Sequence, residues 1–306
     1  MRGTKWMVAV ALWAGTTVAA QASPAQFLVS TDWLEKNIGD PKVKVLEVSV
    51  DPGVFERGHI QGAANLVWHT DLVDPVRRDI ASRDALQAAL RKAGVSSGDT
   101  VILYGDNNNW FAAWGAWVFD VYQVPNVKLL DGGRKKWEAE KRPLTPLATT
   151  AKAGNITLSA ANPTLRARLP DVVAAAEKKS STQLVDIRSA DEYSGKVIAP
   201  PGVAELAVRA GHVPGAVNVP WSQAVAADGT FKSVEELKKL YGAVGIDGSK
   251  PVITYCRIGE RSSHTWFALS KLLGYEVRNY DGSWTEYGNA VGVPVANLAG
   301  TVWTGK

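Results

Sequence analysis

The sequence predicts an α/β fold built twice: two tandem domains, each a mostly parallel sheet flanked by helices. Three observations carry that prediction. The chain has 306 residues, enough for two domains of about 100–200 residues each. Its halves repeat one another in the same order. "VKVLEVSVDPGVFERGHIQGAANLVW" (43–68) is echoed by "QLVDIRSADEYSG" (183–195) and "RAGHVPGAVNVPW" (209–221). "TVILYGDNNNW" (100–110) is echoed by "PVITYCRIGER" (251–261), and "VKLLDGGRKKW" (127–137) by "VRNYDGSWTEY" (277–287). Similarity over such spans marks a duplicated domain, not a short-period solenoid. Within each half, short β-branched apolar runs alternate with stretches of helical pattern, as in a parallel sheet covered on both faces.

Taken in order, the chain opens with "MRGTKW", which holds Arg2 and Lys5, followed by the small apolar run "MVAVALWAGTTVAA" and "AQA" at 20–22. Those three parts, in that order, read as a cleaved export signal over 1–22. The apolar run is too short for a finished membrane span. The mature chain is therefore expected in an exported compartment, a bacterial periplasm, with no membrane attachment after cleavage. The first domain is placed at 23–143, a connection rich in Pro, Thr, Ala and Asn at 144–165, and the second domain at 166–306. In the second half, strands are expected over 184–187, 216–219, 252–255 and 276–280, and helices over 170–177, 234–241 and 262–273. Ser233 with Glu236 three residues on forms a capping box, and Gly242 and Gly274 stop their helices. Residues 196–208 have almost no counterpart in the first half.

Composition narrows the function. Hydrophobic residues make up 46 % of the chain, which supports a sizeable core. The net charge is +4, but Lys and Arg form no stripe, and the export segment removes two of the positive charges. Nucleic acid is thus not an expected partner. Four scattered histidines and one cysteine offer no metal spacing, and no dinucleotide or phosphate-loop motif occurs. No cofactor or metal is expected.

The one cysteine, Cys256, ends a predicted strand. In an exported chain it has no internal disulfide partner, so it is buried, paired with another chain, or a free reactive thiol. Ligands of open α/β sheets bind beyond the carboxyl ends of strands. A short loop leading into a helix there turns its amides inward, as an anion cradle. Gly259 permits the backbone conformation this needs. Such a setting is expected to lower a thiol pKa from about 8.5 to about 3.5–7.5, leaving a thiolate at neutral pH. Arg257 and Arg261 flank the cradle and suit an oxyanion, while Glu260 is expected to point away or to fix an arginine. The repeat supplies a comparison, because the position matching Cys256 is Gly105, in a loop without cysteine or arginine. His59 and His212 occupy equivalent turns in both halves and so read as structural. His264 is expected on a helix surface, and His69 carries no assignment.

The paired turns "ERGHIQGA" and "RAGHVPGAVNVPW", the paired "LLDGG" and "YDGSW", and "CRIGERS" in the second half only resemble the tandem-domain rhodaneses, the thiosulfate sulfurtransferases. The resemblance covers the whole mature chain. It implies two rhodanese-like domains with catalysis confined to the second. In that mechanism the Cys256 thiolate takes the outer sulfur of thiosulfate as a persulfide, sulfite leaves, and cyanide or a thiol accepts the sulfur. The expected partners are thus a small anionic sulfur donor and a thiol or cyanide acceptor. The resemblance also implies a substrate-binding arginine at Arg188, whose first-half counterpart is Ser49, and a binding loop of Arg257, Ile258, Gly259, Glu260, Arg261 and Ser262. There are two departures: the best-known thiosulfate enzymes carry lysine where Ile258 stands, and 3-mercaptopyruvate sulfurtransferases usually begin the loop Cys-Gly where this chain has Cys-Arg. "CRIGERS" resembles the loop of a bacterial thiosulfate-transferase subgroup, so thiosulfate is the favoured donor and 3-mercaptopyruvate the alternative. A cysteine phosphatase or arsenate reductase would need Cys-x5-Arg, whereas Arg261 gives a loop one residue shorter. A sulfane-sulfur carrier without turnover would use the same loop.

Overall fold

The computed structural model describes residues 24–200, 202 and 207–302. The export-signal segment, and residues 201 and 203–206 of the insertion, lie outside that range. The first half runs β1 (Leu28–Val29), α1 (Thr31–Asn37), β2 (Val43–Glu47), α2 (Val54–Arg57), β3 (Ala64–Asn65), β4 (Val73–Asp74) and β5 (Asp79–Ile80), then α3 (Arg83–Lys92), β6 (Thr100–Tyr104), α4 (Trp110–Val121), β7 (Val127–Leu130) and α5 (Gly133–Ala139). The second runs α6 (Leu169–Ala176), β8 (Gln183–Asp186), α7 (Ala190–Ser194), β9 (Val217–Asn218), α8 (Val234–Gly242), β10 (Val252–Tyr255), α9 (Glu260–Trp266), β11 (Val277–Asn279) and α10 (Ser283–Tyr287).

The two sheets show the duplication directly. One has the order β1-β7-β6-β2-β3 and the other β11-β10-β8-β9, with every neighbour parallel. The run β7-β6-β2-β3 therefore matches the second sheet strand for strand. Among the named strands of the described residues, β4 and β5 alone pair antiparallel, as a small ribbon. Strands β8 and β10 are short and buried over most of their length, since helices cover both faces.

Local sequence explains the helix ends. Ser233 accepts from the Glu236 amide while Glu236 reaches back to the Ser233 amide, and Ser189 and Glu192 repeat the device on α7. Gly242 is the last residue of α8 instead of its stop. Helix α9 begins two residues earlier than its periodicity suggests, because Gly259 at φ +105° turns the chain just before Glu260. It continues through a π-helical turn, Phe267–Leu272, to Gly274 at φ +72°.

Helix α4, "WFAAWGAWVFDV", is apolar on every side, and its position explains why. It packs on β6 and β7 of its own sheet and on α9 of the other half. These are equivalent helices, each following the strand that leads into the loop at 105 or 256. One continuous core therefore runs from Leu46 and Leu103 through Trp114 and Trp117 to Val185, Trp266 and Phe267. The connecting segment is strapped to the first half, with Ile156 and Leu158 buried and the Ile156 carbonyl accepting from Arg91 Nε at 2.8 Å.

His264 lies inside the second half, beneath Phe231 and Trp221, contrary to the expected helix surface. It is buried, stacked on Phe231 at 4.3 Å and edge-on to Trp221. That cover exists only once the turn at Trp221 closes over α9, so a helical period read from one element could not show it. Burial pushes the His264 pKa down to about 3. Its folded pKa thus lies below the unfolded value of about 6.5. Between those limits the unfolded chain binds the extra proton, so stability falls as pH falls through that window. The expected contribution is at most about 1.4 kcal/mol per pH unit. Denaturant titrations of wild type and His264→Phe across pH 4–7 should show a shallower pH slope in the variant. An unchanged slope would rule out this assignment.

Candidate active site

Strand β10 delivers Cys256 to the end of the sheet, and its backbone is held on both sides. The Cys256 amide donates to Ser283 Oγ at 3.1 Å, Ser283 Oγ donates to the Tyr280 carbonyl at 2.7 Å, and the Cys256 carbonyl accepts from the Trp284 amide at 3.0 Å. The loop then curls back on the sulfur. The Gly259 amide donates to Cys256 Sγ at 3.0 Å. Beneath the loop, Asn279 Nδ2 donates to Ser263 Oγ at 2.9 Å and accepts at Oδ1 from Ser262 Oγ at 2.6 Å. Both serine hydroxyls also lie within 3 Å of the Gly259 carbonyl. Ser262 is thus a brace: its hydroxyl faces inward, and only its backbone amide serves the sulfur. Its side chain is buried in the Asn279 network, so what it offers the expected binding loop is its amide.

Gly259 is required twice over. Its φ of +105° disfavours any Cβ, and a Cβ would sit 2.6 Å from a Trp114 ring carbon and 2.8 Å from the Asp281 Cα. Gly259→Ala is expected to displace its amide from the sulfur and lower turnover by at least about tenfold, the effect of losing roughly one charge-assisted hydrogen bond. Sulfurtransfer kinetics at saturating donor would check this, and undiminished kcat would contradict it.

The electrostatics differ from the expected ready thiolate. Cys256 is wholly buried. Burial first, and the Glu260 carboxylate second, push its thiol above the ordinary range, while Arg261 and the Ser262 and Gly259 amides oppose them. The cradle is present, but removal from water outweighs it. Glu260 does not point away: its Oε2 lies 3.6 Å from the sulfur and its Oε1 3.7 Å from Arg261 Nε. Arg261 also meets Glu192 of α7 at 3.5 Å and lies over the Trp110 ring of the first half at 5.9 Å. Arg257 and Ile258 are partly exposed on the rim. Ile258 lines a cavity of about 550 Å³ between the halves, with Trp68, Trp114, Arg166 and Asp281 among its walls.

Arg188, which the resemblance implies as a substrate-binding residue, is buried in an ion pair. Its Nη2 donates to Asp186 Oδ2 and to the Gly211 carbonyl, both at 2.7 Å, and its guanidinium lies 4.6 Å from the Trp284 ring centre. It is 1 % exposed. The first half builds the same arrangement from a different residue. There Arg134 Nη1 donates to Glu47 at 2.8 Å and Nη2 to the Gly58 carbonyl at 2.6 Å. Tyr104 and Tyr255 complete the match, each hydroxyl accepting from the turn amide of Ile60 or Val213. Glu47 aligns with Asp186 and Gly58 with Gly211, but Arg134 aligns with Trp284, and Arg188 with Ser49. The guanidinium comes from a different position in each half, so it is not peculiar to the half with Cys256. Aligned carboxylates at equivalent strand ends were the sequence signal for this pair. Glu192, Asn279, Ser283 and Trp110 had no such signal.

The first-half loop shows why no thiol can stand there. A Cβ on Gly105 would lie 2.2 Å from the Val48 carbonyl oxygen, and Asn109 fills the loop, accepting from the Gly105 amide at 2.9 Å. His59 and His212 are bound alike, Nδ1 to the Phe55 and Tyr193 carbonyls, with each ring stacked on the same aromatic residue. That is a structural role in both copies.

Comparison with known proteins agrees with this architecture. The family profile described as Rhodanese-like domain matches residues 30–140 and 169–290. The chain belongs to the rhodanese-like domain family. A Mycolicibacterium smegmatis relative named "Putative thiosulfate sulfurtransferase" is 53 % identical over 270 residues, 88 % of this chain and 96 % of that protein. A Thermus thermophilus relative, "Sulfur carrier protein TtuD", is 47 % identical over 275 residues, 89 % and 96 % of the two chains. Among solved structures, the 3-mercaptopyruvate sulfotransferase SseA from Escherichia coli superposes with a TM-score of 0.72 at 27 % identity, covering 85 % of this rhodanese chain and 99 % of SseA. An anaerobic ergothioneine biosynthesis enzyme from Chlorobium limicola shares the fold, with a TM-score of 0.75 at 23 % identity, over 89 % of this chain and 70 % of that one. Family and relatives together support sulfurtransferase activity.

Proposed function

We infer that this rhodanese moves the outer sulfur of thiosulfate to a thiophilic acceptor, a thiol or cyanide, through a persulfide on Cys256. The observation that carries this reading is the Gly259 amide held 3.0 Å from Cys256 Sγ at the end of β10, in the half whose counterpart position excludes a side chain. In the first half-reaction the Cys256 sulfur attacks the outer sulfur of thiosulfate, and the S–S bond breaks with its electron pair on sulfite. The inward amides and Arg261 favour the anionic persulfide. In the second, the acceptor takes that sulfur and Cys256 is restored. Because the thiol is wholly buried, donor access requires the partly exposed rim of Arg257, Ile258 and Arg261 to move. The first domain, 23–143, serves as the non-catalytic copy, and residues 1–22 direct export.

Mass spectrometry of the protein after exposure to thiosulfate or to 3-mercaptopyruvate tests the donor. A gain of about 32 Da on Cys256 with thiosulfate is expected from the persulfide step. Loading by 3-mercaptopyruvate alone would reassign the donor. Steady turnover with thiosulfate and cyanide is expected, and a single stoichiometric burst would instead favour the carrier role named for the Thermus thermophilus relative.

A further inference from the structure

We propose that Glu260 is a catalytic residue of this site, the group that takes the Cys256 proton during sulfur loading and returns it during sulfur delivery. The proposal rests on the persulfide reading above. The contact of Glu260 with Arg261 accounts for one oxygen; the other lies beside the sulfur, where a carboxylate repels the thiolate and any anionic donor.

The geometry supplies the reason. Cys256 Sγ is 3.6 Å from Glu260 Oε2, within reach of an S–H···O hydrogen bond. Both residues are buried, Glu260 at 5 % exposure. A proton leaving the sulfur meets this carboxylate before it meets solvent. The second oxygen, Oε1, is oriented by Arg261 Nε at 3.7 Å. The charged groups around the pair include Arg257, next to Cys256 in the chain, and Asp281, which pairs with Arg166 and whose Cα would lie 2.8 Å from a Cβ on Gly259. Arg261 is on the same helix, and Glu192 of α7 lies beyond it. Helix α4 contributes the Trp110 ring, and the turn Trp221–Ala224 carries no ionisable side chain. Arg278 of β11 is held elsewhere by Asp171 at 3.0 Å.

The step balances in atoms and charge. In loading, Cys256–SH, thiosulfate dianion and Glu260 carboxylate become the Cys256–S–S⁻ persulfide, sulfite dianion and Glu260 carboxylic acid. The Sγ–S bond forms, the S–S bond of thiosulfate breaks with its electrons on sulfite, and the proton moves to Oε2. In delivery, cyanide or an acceptor thiolate attacks the outer persulfide sulfur. The Cys256 sulfur leaves with the bond pair and takes the proton back from Glu260. No proton need cross into solvent, so the wholly buried site keeps the same total charge in each protein state. The carboxylate thus raises the thiol's resting pKa and still assists its reaction: it stores the proton instead of expelling it.

Glu260→Gln keeps the shape and removes the base. Rapid-quench loading by thiosulfate, read as the Cys256 mass shift, should be nearly independent of pH between pH 6 and 8 in the wild type. In the variant it should be slower at pH 6 by about 10²-fold, within the usual range for general acid–base catalysis. The deficit should narrow about tenfold per pH unit as solvent takes over the proton. Glu260→Asp, which keeps a carboxylate, should restore the flat profile and covers a failure of the Gln variant to fold. Parallel profiles for wild type and Gln variant, or faster loading by the variant at pH 6, would overturn the proposal and leave Glu260 as a charge that only suppresses the thiolate. Wild-type protein that takes no sulfur from thiosulfate would instead remove the donor assignment. Alkylation of Cys256 by iodoacetamide releases the same proton without a sulfur donor, so the same divergence of pH profiles is expected there and its absence would be equally decisive.

Discussion

Cys256→Ser is expected to lose sulfurtransfer entirely, by more than about 10³-fold, while keeping its fold. The hydroxyl is smaller and cannot carry the sulfane sulfur under these conditions, so neither half-reaction has a covalent route. Nothing else in the loop can substitute, because the chain holds one cysteine and the equivalent site at Gly105 lies against the Val48 carbonyl. The backbone bonds that hold position 256, to Ser283 Oγ and from the Trp284 amide, do not involve the sulfur. The thermal midpoint should therefore shift by only a few degrees, as for a loss of about 1 kcal/mol. Cyanide-dependent thiocyanate production and the missing mass adduct give the readouts. Substantial residual activity in the serine variant would end the persulfide reading.

The largest stability effect is expected at Arg188. Replacing it with alanine strips the Asp186 carboxylate of its buried partner and leaves the Gly211 carbonyl without this donor. Breaking a buried ion pair from one side costs roughly 3–5 kcal/mol, because the remaining charge stays out of water. Denaturant unfolding of Arg188→Ala should show that loss, and the double variant with Asp186→Ala should lose less than the sum of the singles. A merely raised KM for thiosulfate, with unchanged stability, would return Arg188 to substrate recognition. The corresponding pair in the first half, Glu47 and Arg134, should respond in the same direction, although it lies in the half without the nucleophile.

These differences share one cause. Asp186 and Arg188 are two residues apart in the chain, and the sequence comparison paired Arg188 only with Ser49. The structure shows that what matters is the cavity each guanidinium fills, and Arg134 fills it from 87 residues away in the first half. A residue-by-residue alignment of the repeat compares positions, whereas the fold preserves an interaction. The same limit applies to His264, whose ring is covered by Phe231 and Trp221 from a turn distant in the chain. It applies again to Glu260, whose direction depends on how tightly Gly259 turns the loop.

The sequence by itself determined the duplication, strands β8 to β11 and helices α6, α8 and α9 but not α7 or α10, the capping box at Ser233, the place of Cys256 at a strand end, and the need for glycine at 259. Each of these is written in local periodicity, turn chemistry or direct repetition. Only the tertiary structure shows the burial of Cys256, the pairing of Arg188 with Asp186, the inward brace at Ser262 and the contact between Glu260 and the sulfur. Those depend on burial and on distances between residues brought together by the closed core. Removal from water can reverse the effect of a cradle of amides on a thiol, and no count along the chain reports how much water is left.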